Sequence, residues 1–275
     1  TTLIVPFFFS SKILVSLNII KKLFYIINFI QHPVSSIQYP ASTIQHPASS
    51  IQYPVSSIRY YSLICKNKIH FSKFVKQNRG MPLVYQQNIN ASTRIGVWHI
   101  AEPENFFLSK VPLQREITHP HKRLQHLAGR LLLQELYPGF PQELIKIADT
   151  NKPFLENEAY HFSISHCGDY AAVIVSTEFR VGADIELIND KVERIIHKFL
   201  QVDEMRLINL KSEPDSISKA QLLTLAWSIK ESLFKWYGKR EVDFKKHLRI
   251  DDINIDDNQG VAHCRFLKNM SMELP

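Results

Sequence analysis

Acidic side chains are missing from the first 80 positions, which hold nine Lys or Arg and no Asp or Glu. Residues 81–275 hold 24 basic and 26 acidic side chains, a formal balance of −2, so the net +7 belongs to the leading segment. That removes the usual reason to look for a nucleic-acid or anionic-membrane surface on the main body. Cysteine is scarce too. Cys65, Cys167 and Cys264 are widely spaced, form no metal-type cluster and leave one unpaired if two are bridged, which predicts a reducing, cytoplasmic setting. There is no G-x-x-x-x-G-K-[ST] loop, which argues against a nucleotide hydrolase. Lys12, Lys21 and Lys22 interrupt the apolar stretches of residues 1–30 before any reaches 18 uncharged residues, and no small-residue cleavage site follows promptly. Neither a membrane span nor a cleaved export signal is predicted.

What is present begins with a seven-residue repeat, IQHPVSS, IQYPAST, IQHPASS and IQYPVSS, from Ile30. Pro33, Pro40, Pro47 and Pro54 recur at one place in the unit, so a helical coiled coil is excluded and an extended or disordered segment is predicted. The chain opens on Thr, whereas Met81 opens MPLVYQQNINASTRIGVWHI, where the character of a folded domain starts. The expectation is a low-complexity leader over 1–80, disordered or translated upstream sequence, followed by two subdomains, 81–178 and 179–275.

In the main body, IGVWHI (95–100) reads as a strand, and Pro120 marks the first turn of a helix through KRLQHLAGRLLLQEL, closed by Gly139 and Pro141. Leu124, Leu127, Ala128, Leu131 and Leu132 form its apolar stripe, while Arg123, His126 and Arg130 share another face. HFSIS and YAAVIVS flank His166-Cys167-Gly168-Asp169 as adjacent strands, and VGADIEL is a further strand whose Gly182 permits a turn or close packing. Asp190 and Glu193 have capping-box spacing ahead of a helix through Leu200. After the polar KSEPDS segment, a longer helix runs from about Ser218 through Trp236 to Gly238. Two strands, in FKKHLRIDDINI and VAHCRFL, flank a DDNQG turn. The fold class is therefore α+β, two α/β halves meeting near VGADIEL with a cleft between them.

Asp184 and Glu186 stand two apart, so a strand projects both carboxylates from one face. Two ionised carboxylates repel unless a cation or donors compensate, and Mg²⁺ takes carboxylate oxygen while keeping positions for water and phosphate. A solvated edge strand has the same pattern. Trp227, Glu231 and Lys235 recur four apart and share a helical stripe, which is also the pattern of a surface Glu–Lys pair worth about 0.2–0.5 kcal/mol. His166 ends a strand and precedes Gly168, a place from which an imidazole reaches an anion or simply packs. Lys152, beside Pro153, offers a phosphate contact or a solvent-facing charge. These residues reach metal-assisted phosphate chemistry without naming a substrate.

The ordered motifs Asn151-Lys152-Pro153, Phe162-Ser163-Ile164-Ser165-His166, Val181-Gly182-Ala183-Asp184-Ile185-Glu186 and Trp227-Ser228-Ile229-Lys230-Glu231-Ser232-Leu233-Phe234-Lys235 resemble the 4'-phosphopantetheinyl transferase family, in its larger monomeric two-subdomain form. The resemblance covers most of residues 94–270. It implies transfer of the phosphopantetheine arm of coenzyme A to a serine of an acyl or peptidyl carrier protein, as a holo-acyl-carrier-protein synthase does, with adenosine 3',5'-bisphosphate as the other product. By carry-over, Asp184, Glu186 and Glu231 surround Mg²⁺, Glu231 accepts the serine proton, and Lys235 stabilises the leaving phosphate oxygen. His166, Ser165 and Lys152 contact coenzyme A, Arg123 or Arg130 grips its terminal phosphate, and Lys230 holds either a coenzyme A phosphate or an acidic carrier surface. Cys167 stands where a small hydroxyl residue is often seen and is left out of the catalytic set. The rival expectations are a non-catalytic carrier-binding protein and a membrane-associated structural protein.

Overall fold

The computed structural model describes residues 2–9, 24–30, 83–212, 217–256 and 259–268. The Pro-containing repeat, Cys65 and Met81 lie outside the described residues, as do parts of the KSEPDS and DDNQG segments.

The first sheet is antiparallel, in the order β3 (Leu83–Asn88), β4 (Thr93–His99), β8 (Tyr170–Ser176), β7 (His161–Cys167). Between β4 and β7 the chain forms a short helix α1 (Glu104–Leu108), the long helix α2 (Pro120–Leu136) and a small hairpin of β5 (Ile145–Ile147) and β6 (Pro153–Leu155). Pro120 occupies the first helical turn of α2, where its missing N–H costs nothing, and His119 caps it by accepting from the Lys122 N–H at 3.4 Å. Gly168, at φ +54°, makes the turn between β7 and β8.

The period-two alternation divides the sheet between two cores. Trp98, Ala171, Val173 and Val175 face Leu127, Leu131, Leu132 and Leu136 of α2. Ile95, Val97, Ala172 and Ile174 point the other way, against Val181, Ala183 and Ile185 of β9 (Val181–Leu187). Strand β9 thus packs its odd-numbered residues on the first sheet and turns its even-numbered ones, Gly182, Asp184 and Glu186, toward the second half.

After β9 come a 3-10 turn (Asp190–Ile195), the short helix α3 (Ile196–Phe199), α4 (Val202–Lys211), the long α5 (Lys219–Tyr237), β10 (Leu248–Asp256) and β11 (Gln259–Phe266). The helix expected to start at Asp190 is capped instead by Asn189, whose side chain accepts from the Lys191 N–H, and it tightens to 3-10 before one α turn forms. Helix α5 keeps its expected ends. Ser218 and Gln221 cap each other's backbone N–H, and Gly238 at φ +73° donates to the Phe234 carbonyl.

The second sheet runs β10, β11, β1 (Thr2–Phe9), β2 (Phe24–Ile30), β9, antiparallel throughout, with Ile27 opposite Asp184 and Tyr25 opposite Glu186. Here the structure departs from the unstructured leader expected over 1–80. TLIVPFFF and FYIINFI are apolar runs of strand length, rich in β-branched and aromatic residues, and such runs complete a sheet. Among the described residues no helix is long and apolar enough to cross a membrane.

Candidate active site

Strand β9 and helix α5 approach closely because position 182 carries no side chain. A Cβ there would lie 2.2 Å from the Ser232 carbonyl oxygen and 2.6 Å from the Trp236 nitrogen, backbone atoms that cannot swing aside. The even face of β9 therefore meets the 228/231/235 row of α5. Asp184, only 3% exposed, takes hydrogen bonds on both oxygens: Ser165 Oγ (2.8 Å) and Lys235 Nζ (2.6 Å) on Oδ1, Ser228 Oγ (2.8 Å) on Oδ2. Lys235 Nζ also donates to Ser165 Oγ at 2.8 Å. Glu186 accepts from Trp227 Nε1 (3.3 Å) on one oxygen and from the Cys167 thiol (3.4 Å) on the other.

Glu231 completes the group. Burial first, then the charges of Asp184 and Glu186, push its carboxyl up to about 7, with the Lys235 ammonium pulling the other way. Glu186 is raised too, by burial and by Asp184. The thiol of Cys167 is raised to about 11, mainly by burial, so it remains protonated and serves as a donor to Glu186. Three carboxylates and one lysine are thus electrostatically coupled in a space where neighbouring carboxylates resist ionising together. As they stand, no three His, Cys, Asp or Glu side chains among the described residues are gathered closely enough to hold a metal ion. The protein's own donors, Lys235, Ser165, Ser228, Trp227 and Cys167, hold Asp184 and Glu186 instead. The donor set itself, hard carboxylate oxygens with an unmet demand for positive charge, fits a small divalent cation.

Beside this group lies a cavity of about 150 Å³ lined by Asn151, Lys152, Ser163, Glu231, Phe234 and Lys235 among others. Lys152 closes it from the β5–β6 side. Its Nζ donates to the Lys235 carbonyl at 2.5 Å, at the C-terminal end of α5 where a cation is favoured, and burial brings its ammonium down to about 8.

On the other side, α2 carries buried nitrogens without hydrogen-bond partners among the described residues. Arg130 is 3% exposed, and its Nε and Nη1 have no hydrogen-bond partner among the described residues. His126 Nε2 is likewise buried and unpartnered. Burial, then the charges of Arg130, Arg115 and His166, push the His126 imidazole down to about 4, and burial with Arg115 brings Arg130 down to about 10. His166, at the exposed end of β7, feels Lys235, Asp184 and Lys122 and is itself lowered, chiefly by desolvation. It links the cationic group on α2 to the carboxylates on β9 and α5.

Of the residues singled out from sequence, the structure brings together Ser165, Asp184, Glu186, Glu231 and Lys235, with Lys152 and His166 around them and Arg130 farther out, in the electrostatic reach of His126. Two stand apart. Arg123 spends its guanidinium on Glu104, with Nε to Oε1 at 2.7 Å and Nη2 to Oε2 at 2.8 Å, and its Nη1 donates to the Ile117 carbonyl at 2.7 Å. It has a carboxylate already, so it is not the open anion contact the sequence reading allowed. Lys230 is wholly buried, 2.7 Å from Glu204, and does not face the cavity, which corrects its expected place at a phosphate or a carrier surface. Its burial has a sequence signal, since it lies in one row with Leu223, Ala226 and Leu233. Ser228 has one too, three and seven residues before Glu231 and Lys235. Arg115 has none, because it lies in a loop whose position no periodicity fixes.

Residues 180–272 match the model of the 4'-phosphopantetheinyl transferase superfamily. The chain is 28% identical to the 4'-phosphopantetheinyl transferase AcpT of Escherichia coli O157:H7 over 162 residues, 56% of this chain and 75% of that protein. It is 29% identical to enterobactin synthase component D of Salmonella austin over 43% of this chain and 49% of that protein. Identity to the human L-aminoadipate-semialdehyde dehydrogenase-phosphopantetheinyl transferase is 27%, over 51% of each chain. The chain thus spans about half the length of the last two. Residues 180–272, which carry the β9–α5 carboxylate group, are thus similar to the 4'-phosphopantetheinyl transferase superfamily, and the likeness to the relatives extends beyond them.

Proposed function

We propose that the cleft between β9, α5 and α2 transfers the 4'-phosphopantetheine group from coenzyme A to a serine hydroxyl of an acyl or peptidyl carrier protein, releasing adenosine 3',5'-bisphosphate. The observation that carries this reading is the Glu231 carboxyl at about 7, raised by burial and by Asp184 and Glu186, while the α2 wall beyond His166 carries the charged Arg130 and the neutral imidazole of His126, both with buried nitrogens unpartnered among the described residues. A ligand matching both walls carries anionic phosphates and is accompanied by a small cation, as the coenzyme A pyrophosphate with Mg²⁺ does.

In this reading Asp184, Glu186 and Glu231 hold Mg²⁺, and the bound ion supplies charge neutralisation at the pyrophosphate. Arg130, His126 and His166 receive phosphate oxygens that replace the partners these groups lack. Glu231 accepts the proton of the incoming serine, directly or through water. With the cation bound that carboxyl would be ionised and open to a proton, and its position beside the serine rather than its basicity would supply its competence. The serine oxygen–phosphorus bond forms, the phosphoanhydride bond breaks, and Lys235, partly open to solvent, stabilises the departing oxygen. Lys152 braces the end of α5 and so the position of Lys235. The holo-acyl-carrier-protein synthase type, the cytoplasmic setting and the monomeric state belong to this same reading.

Intact-mass measurement of apo-carrier proteins incubated with the full chain, coenzyme A and Mg²⁺ tests it. The expected result is a gain of one phosphopantetheine group, lost when Mg²⁺ is chelated. Carriers that bind without gaining mass would instead support a non-catalytic carrier-binding protein.

A further inference from the structure

Lys230 precedes Lys235 by five residues on α5, and its side chain leaves the helix toward the opposite side. It is wholly buried. Its ammonium lies 2.7 Å from Glu204 Oε1 and donates to the carbonyls of Phe199 at 2.5 Å and Phe244 at 3.0 Å. An ammonium has three donors, and here three acceptors come from three separate segments: α4, the end of α3 and the loop before β10. Glu204 is held in turn by the backbone N–H groups of Gln201 and Ile250.

The two carbonyls belong to residues whose rings flank one indole. Phe199 meets Trp227 edge-on at 5.2 Å between centroids, and Phe244 stacks on it at 5.6 Å. Trp227 Nε1 donates to Glu186 at 3.3 Å. On their outer side the same three rings line a cavity of about 640 Å³ with Ile195, Lys198 and Val242 among others. Phe199 is fully buried, whereas Trp227 and Phe244 are half-buried, and an apolar residue at position 230 would fill the core without tying either carbonyl.

We propose that Lys230 is a positioning residue: by fixing Phe199 and Phe244 on either side of Trp227 it holds the indole N–H on Glu186, and so sets the affinity of the carboxylate group for its divalent cation. This rests on the reading of Asp184, Glu186 and Glu231 as a cation site. It assigns Lys230 no contact with coenzyme A.

The test pairs Lys230→Met/Glu204→Gln, which removes both charges of the buried pair and leaves Arg249 to Asp203, with Trp227→Phe, which keeps a six-membered ring and removes the N–H with the rest of the indole. Mn²⁺ binding is followed by electron paramagnetic resonance. Trp227 emission is taken as the difference between each protein and its Trp227→Phe counterpart. The double variant is expected to shift Trp227 emission to the red and weaken Mn²⁺ about 10-fold, the scale of a lost outer-shell ligand contact, while coenzyme A affinity holds. Trp227→Phe is expected to reproduce the Mn²⁺ loss. Unchanged Trp227 emission in the double variant would overturn the proposal, as would Mn²⁺ affinity left intact by Trp227→Phe. So would a loss of coenzyme A affinity with Mn²⁺ binding preserved, which would return Lys230 to a phosphate. If the unsubstituted chain binds no Mn²⁺ the cation reading fails by itself, and the emission shift alone then decides the role of Lys230.

Discussion

Helices α2 and α5 are built alike and charged in opposite senses. Each lies on a β-strand through a glycine contact: a Cβ at Gly129 of α2 would come within 2.8 Å of the Ile164 side chain of β7, and one at Gly182 of β9 would strike the backbone of α5. Each buries a long apolar row. From that shared scaffold α2 carries Arg130 and His126 with buried nitrogens unpartnered among the described residues, whereas α5 places Glu231 beside two carboxylates. Arg130 has no anionic partner among the described residues, and three carboxylates share the single ammonium of Lys235. The protein leaves complementary charges apart, each desolvated at a cost, and this is the signature of a site whose partner comes from outside.

The comparison predicts distinct consequences for the two walls. Glu231→Gln should have the largest effect, lowering turnover about 10²–10⁴-fold by removing the proton acceptor. The same change should stabilise the fold at high pH. A carboxyl raised from 4.5 to about 7 favours the folded state most below 4.5, and that contribution is lost as pH rises through 7, so removing the titration should stabilise by on the order of 1 kcal/mol at pH 8. Thermal unfolding of both proteins at pH 5 and pH 8 checks the sign. Lys235→Ala should lower turnover about 10²–10³-fold with a smaller change in coenzyme A affinity, read from kcat and KM separately.

Arg130→Met, on the cationic wall, should raise the KM for coenzyme A about 10-fold and at the same time raise the unfolding temperature without ligand, because it removes an unpaired buried charge. A fall in both stability and affinity would mean that Arg130 is a structural strut, and the contrast between the helices would lapse. Arg123→Gln should have the smallest effect. Its guanidinium already serves Glu104, so coenzyme A KM should stay near the wild-type value in steady-state assays.

Local rules carried much of the fold. Pro120, Ser218 and Gly238 set helix ends by chemistry confined to a few residues, and alternation in VGADIEL set which side chains face α5. Tertiary context decided the rest. Asp190 and Glu193 have the spacing of a capping box, yet Asn189, one residue earlier, accepts from the Lys191 N–H and takes the role. The apolar runs of residues 2–9 and 24–30 carry no periodicity that tells a sheet strand from an unstructured tail, and they pair in the second sheet. At the site, Asp184, Glu186, Glu231 and Lys235 were readable because strand and helix periods fix their faces. Arg123 and Lys230 were misread for one reason: charge type in a sequence does not say whether a counter-charge, here Glu104 or Glu204, lies close by in space.

The central claim is that Glu231 belongs to a carboxylate group awaiting a divalent cation. Carbon-13 carboxyl NMR of Glu231 against pH, assigned with Glu231→Gln, addresses it directly. The account predicts a midpoint near 7 without divalent cations and a marked drop, with proton release, when Mg²⁺ is saturating. A midpoint at the ordinary glutamate value of about 4.3, unmoved by Mg²⁺, would contradict it.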